Sequence, residues 1–223
     1  MVPIGREIHP RAVSAASLAI LFVIASGVAI RFVAAGGAIG PDQSWHDLMA
    51  TLRTQFADSL ARVLNAVGGT LDVTTVVVVL AIVLLARREW RVGVSLVASI
   101  LISLIAFNAL KAVVGRARPL DALVAAGGDS FPSGHSTMAA ALAVGIALIV
   151  RRVWVWVLAI VWGVLMAWSR TYLLVHWLSD TVAGVVLGAS ISVVVFWSVH
   201  RISRGGRMER PAHSFEHAGH SGP

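Results

Sequence analysis

Apolar residues in this chain come in long blocks rather than alternating with polar ones, near 13–33, 66–86, 92–114, 136–150, 153–173 and 178–198. A bilayer core about 30 Å thick takes about 20 apolar residues to cross as a helix. Valine-rich stretches such as Val76-Val77-Val78-Val79 favour strand in water. In lipid the backbone must pair with itself, and uninterrupted runs favour helices over a barrel. The pattern therefore predicts an all-α six-transmembrane-helix bundle, one membrane domain over 1–200. The first run is longer than a signal-peptide core and lacks an obvious small-residue cleavage site, so it is expected to be retained.

Two segments break the pattern. Between the first and second runs, Trp45, Leu48, Met49, Leu52, Phe56, Leu60, Val63 and Leu64 recur at helical spacing, with Asp47, Arg53, Asp58 and Arg62 elsewhere. This predicts an interfacial amphipathic helix, either a collar beside a substrate entrance or a packing helix that closes the bundle. Residues 201–223 are polar and carry His213, His217 and His220. A solvated, disordered tail is expected there rather than a metal site.

Composition agrees with a membrane protein. The chain has 223 residues, 57% hydrophobic and 13% charged, with mean hydropathy +0.83. Those values exclude an ordinary soluble domain. The formal charge of +7 does not form one basic patch, so no nucleic-acid partner is expected. The arginines cluster instead between apolar runs. Arg6 and Arg11 precede the first; Arg87, Arg88 and Arg91 follow the second; Arg151 and Arg152 follow the fourth; Arg201, Arg204, Arg207 and Arg210 follow the sixth. By the positive-inside rule those segments and both termini are cytoplasmic. Absence of cysteine excludes disulfides, thiolate metal sites and cysteine nucleophiles.

Candidate chemistry lies in three short stretches at the opposite ends of the runs: Lys111-x6-Arg118-Pro119, Pro132-Ser133-Gly134-His135, and Ser169-Arg170-x5-His176-x3-Asp180. Lys111, Arg118 and Arg170 can cradle a phosphate, arginine by its bidentate fork and lysine as a point charge. Each can also be a cation snorkelling to the interface. Ser133, Gly134 and His135 open a helix, whose N-terminal N–H groups and dipole attract an anion. Asp180 lies four residues after His176, on the same helical face, where a carboxylate can fix the imidazole tautomer and leave one nitrogen free to attack. Three surrounding cations disfavour a divalent metal, so no metal and no cofactor are expected.

In order, residue type and spacing these stretches resemble the signature of the type 2 phosphatidic acid phosphatase superfamily, which also includes glucose-6-phosphatase and the vanadium haloperoxidases. Every core position of the signature is filled. The resemblance implies a lipid phosphate phosphatase with a phosphohistidine on His176. It makes His135 the general acid that protonates the leaving oxygen and then activates water. It also implies undecaprenyl diphosphate, phosphatidylglycerol phosphate or phosphatidate as substrate in a bacterial inner membrane. Small loops, with little protein for a large headgroup, favour the first. Leu174 and Leu178 stand where many relatives have glycine and proline, so the turn between the last two runs is open to change.

Other readings stay open. The same phosphohistidine can pass its phosphate to an acceptor, which makes a phosphotransferase. A non-catalytic lipid-binding protein or transporter would be expected to have lost a motif residue, and none is lost. Six membrane helices with short loops argue against a haloperoxidase. Among secondary candidates, Arg116 can touch a second phosphate or face headgroups, Asn108 can orient Lys111, and Asp72 is ionisable in an apolar run.

Overall fold

A computed structural model describes residues 8–208, with side chains as far as Ile202. Arg6, Arg210, His213, His217 and His220, and the side chains of Arg204 and Arg207, lie outside the described residues. The helices are α1 (Pro10–Val33), α2 (Gly40–Thr51), α3 (Gln55–Val67), α4 (Thr70–Ala86), α5 (Trp90–Val114), α6 (Gly134–Val150), α7 (Val153–Tyr172) and α8 (Leu178–Met208). No strand occurs among the described residues.

Each apolar run returns as helix, because a continuous apolar segment has no partner but itself for its backbone groups. Among the described residues, four helices (α1, α5, α7 and α8) are long and apolar enough to cross a bilayer. Helices α3 and α4 make a fifth span if counted together, although they bend by 53° at Gly68 and Gly69. Helix α6 is apolar but has 17 residues. Outward faces carry exposed large apolar side chains: Phe22 is 71% exposed and Leu71 is 83% exposed. Such surfaces suit lipid rather than water. The chain is an integral membrane protein.

The amphipathic segment differs from expectation. Instead of one helix it forms two, broken over Leu52, Arg53 and Thr54. The break is held from outside. Thr54 N donates to the Tyr172 hydroxyl at 2.9 Å, and Arg53 Nη1 donates to the Tyr172 carbonyl at 3.3 Å. Thr54 then caps α3 by accepting from Ala57 N at 3.2 Å.

The core lies between α5, α6 and α8, around Leu96, Phe131, Met138 and Leu187. Helices α6 and α8 approach closely because α8 presents glycines. A Cβ on Gly188 would lie 2.0 Å from the Thr137 carbonyl oxygen, and one on Gly184 would lie 2.6 Å from that of Ser133. This contact seats the first turns of α6 and α8 side by side, and with them the second and third motifs.

Candidate active site

Helix α5 carries Lys111 in its last turn and ends at Gly115, whose left-handed φ of +61° turns the chain into the loop that bears Arg116 and Arg118. Lys111 Nζ donates to the Asp129 carbonyl. Arg118 is gripped by the same stretch. Its Nε donates to Gly128 O at 2.9 Å, and its Nη2 to Gly127 O at 3.1 Å and Asp129 O at 3.2 Å. Its Nη1 donates to Val175 O at 2.6 Å and to His176 Nε2 at 3.0 Å. Burial pulls the Arg118 guanidinium below its ordinary value, and Asp180 and Asp129 oppose that shift.

His176 is buried in the turn between α7 and α8. Arg118 can only donate, so His176 Nε2 must accept. That tautomer puts the ring proton on Nδ1, which lies 3.5 Å from Asp180 Oδ2 and 3.4 Å from Ser130 Oγ. Burial pushes His176 down to about 3; Asp180 opposes that shift and the cations Arg118 and Arg170 add to it. The ring is therefore neutral at ordinary pH, with its lone pair on the nitrogen that faces Arg118. Asp180 Oδ2 also accepts from Ser130 Oγ and, at 2.9 Å, from Trp177 N.

Ser133 caps α6, accepting from Ser136 N at 3.4 Å, while its own amide donates to the Asp180 carbonyl at 3.0 Å. Gly134 sits against the Phe107 ring, which a Cβ would meet at 3.1 Å. His135 faces the Asn65 backbone, and Lys111, Arg118 and Arg170 all act on it electrostatically. Arg170 is 3% exposed; its Nη1 donates to Asn65 Oδ1, and its buried Nε has no hydrogen-bond partner among the described residues. Asn65 thus joins the cation of the third motif to the histidine of the second.

The expected residues converge on one end of the bundle, while none of the secondary candidates takes the role expected of it. Arg116 is fully buried between two carboxylates, with Nη1 donating to Asp180 Oδ1 at 2.6 Å and Nη2 to Asp42 Oδ2, so it faces neither headgroups nor a second phosphate. Asn108 donates to the Leu104 carbonyl at 2.8 Å in its own helix rather than orienting Lys111. Asp72 is exposed and folds back over Gly69 at the start of α4. Four polar participants were not singled out from the sequence: Asp42, Asn65, Ser130 and Ser179. Ser130 alone had a local signal, three residues before Ser133 in the second motif.

Residues 92–204 match the family model described as the PAP2 superfamily. The chain is 35% identical over 134 residues to the undecaprenyl-diphosphatase of Sulfolobus acidocaldarius, covering 57% of this chain and 63% of that protein. It is 25% identical over 146 residues to the lipid A 4'-phosphatase of Bacteroides thetaiotaomicron, covering 58% and 65%. The chain thus spans slightly less than two thirds of either relative. The fold resembles the crystal structure of a transmembrane PAP2-type phosphatidylglycerolphosphate phosphatase from Bacillus subtilis, with a TM-score of 0.69 and 23% identity over 85% of this chain and 96% of that one. By its matched half, and by the fold that carries the motifs, the chain belongs to the PAP2 superfamily.

Proposed function

We propose that the protein is a membrane lipid phosphatase that hydrolyses a phosphate ester or anhydride through a phosphohistidine on His176. One observation carries the reading: a buried neutral imidazole turns its lone pair toward Arg118 and its N–H toward Asp180. Lys111, Arg118 and Arg170 hold the phosphate oxygens, with Ser133 and Gly134 at the α6 N-terminus. Substrate oxygens take over donors that carbonyls now occupy on Arg118, and one meets the unpartnered Arg170 Nε. His176 Nε2 then attacks phosphorus in line as the bond to the leaving oxygen breaks, and His135 protonates that oxygen. The ring becomes a phosphorylated imidazolium, which Asp180 stabilises. His135, now a base, takes a proton from water, which attacks phosphorus and releases phosphate and neutral His176.

The undecaprenyl-diphosphatase relative and the short loops support undecaprenyl diphosphate as substrate. Six spans, with α4 and α6 as short ones, would put the site at the extracytoplasmic face opposite the arginine clusters, beside α2 and α3. The lipid then enters sideways from the outer leaflet. The test is phosphate release by the detergent-purified protein, with excess EDTA, from undecaprenyl diphosphate, phosphatidylglycerol phosphate and phosphatidate. Preferred turnover of the first, unaffected by EDTA, is expected. An absolute need for magnesium would overturn the metal-free mechanism. Appearance of a phosphorylated acceptor in place of free phosphate would assign transfer instead.

A further inference from the structure

Arg116 is buried, carries a charge, and touches none of the groups that would hold a phosphate. A guanidinium has five N–H donors, and Arg116 uses them on its own protein. Nη1 donates to Asp180 Oδ1 at 2.6 Å and Ser179 Oγ at 2.7 Å; Nη2 donates to Asp42 Oδ2 and, at 3.0 Å, to Gly37 O; Nε donates to Gly37 O at 3.3 Å. The Arg116 guanidinium carbon also lies over the Trp177 ring, 5.7 Å from its centroid. Asp42, on α2, has 1% exposure and grips the start of α8 as well. Its Oδ1 accepts from Ser179 N and its Oδ2 from Ser179 Oγ, both at 2.8 Å. Ser179 is the residue before Asp180.

We infer that Asp42 is a positioning residue, holding through Arg116 and Ser179 the carboxylate that orients His176. This inference rests on the reading of His176 as nucleophile. The physical reason is charge. With Arg116 alone behind it, Asp180 would belong to a neutral pair and lend little to a cation forming on His176. Asp42 supplies a second negative charge, so the Asp42–Arg116–Asp180 chain is net negative behind the ring. The ring is neutral before the transfer and positive after it, so the extra charge acts on the transition state more than on substrate binding. The same hydrogen bonds fix the α8 backbone, so Asp180 Oδ2 is left facing Nδ1 while Oδ1 faces Arg116. Asp42 lies outside the matched residues 92–204, on an element that contains none of the three motifs.

The experiment measures kcat and KM for Asp42→Asn on the best of the three lipids, per amount of monodisperse protein, together with the inhibition constant of inorganic phosphate. The expected result is a fall in kcat of about a hundredfold, with KM and phosphate inhibition within about twofold of wild type. A purely structural role would lower the melting temperature and leave the kcat of folded protein unchanged. Should Asp42→Asn fail to fold, Ser179→Ala decides, since it keeps every charge and removes only the bridging hydroxyl. Its kcat should fall about tenfold with KM unchanged. Unchanged kcat in whichever variant folds, or a raised KM with unchanged kcat, overturns the inference. His176→Ala is the separate control. Full activity in that variant sinks the nucleophile reading itself, whatever Asp42 does.

Discussion

His176 concentrates the residue-scale physics. Its folded value of about 3 lies below the ordinary 6.5, so the unfolded chain takes up the proton first as pH falls. Between those two values the unfolded state binds more protons, and stability must rise with pH across that window. The melting temperature in detergent should therefore climb from about pH 4 to about pH 6.5, and His176→Gln should flatten part of the climb. A slope of the opposite sign would contradict a buried neutral ring. Two residues earlier, Leu174 holds a left-handed φ of +55°. That conformation costs a non-glycine residue about 1–2 kcal/mol. Here the leucine is 3% exposed and packs with Met49, Ala61 and Val175, so apolar burial offsets the backbone cost. Leu178 is the first residue of α8, a position that accepts leucine or proline.

Among the elements, the pairing of α6 with α8 decides whether a site exists. Helix α6 brings Ser133 and His135, α8 brings Asp180, and the Ser133 amide donates to the Asp180 carbonyl between them. Gly188 permits the approach, so Gly188→Ala should force the helices apart and destabilise the protein by about 1–3 kcal/mol. The melting temperature and turnover measured together check this: both should fall, and an unaltered variant would mean the contact is looser than drawn. The runs of residues that became α5 and α7 were legible almost to the residue, because a lipid-facing helix is a local solution to backbone hydrogen bonding. The break between α2 and α3 was not. Its apolar spacing continues through Leu52, and the interruption is imposed by Tyr172 from another helix.

At the scale of the whole molecule, alternation of the helices brings the motif residues to one end and the Arg87–Arg88 and Arg151–Arg152 turns to the other. The absence of native cysteine makes sidedness directly measurable. In intact cells, Ala126→Cys in the exposed loop before the second motif should react with a membrane-impermeant maleimide, and Arg87→Cys should react only after permeabilisation. The reverse pattern would invert the proposed topology. Membrane class, helical architecture and the residue types of the candidate site were legible in the sequence itself. Long apolar runs admit few solutions in a bilayer, and each motif is a short stretch of chemically distinctive residues around a helix end. Only the tertiary structure decided what stands behind those residues. Asp42 and Asn65 come from α2 and α3, far along the chain from the groups they touch, Arg116 and Arg170. A buried polar group must be satisfied by whatever packing delivers to it, and that demand leaves no periodicity for a sequence to show.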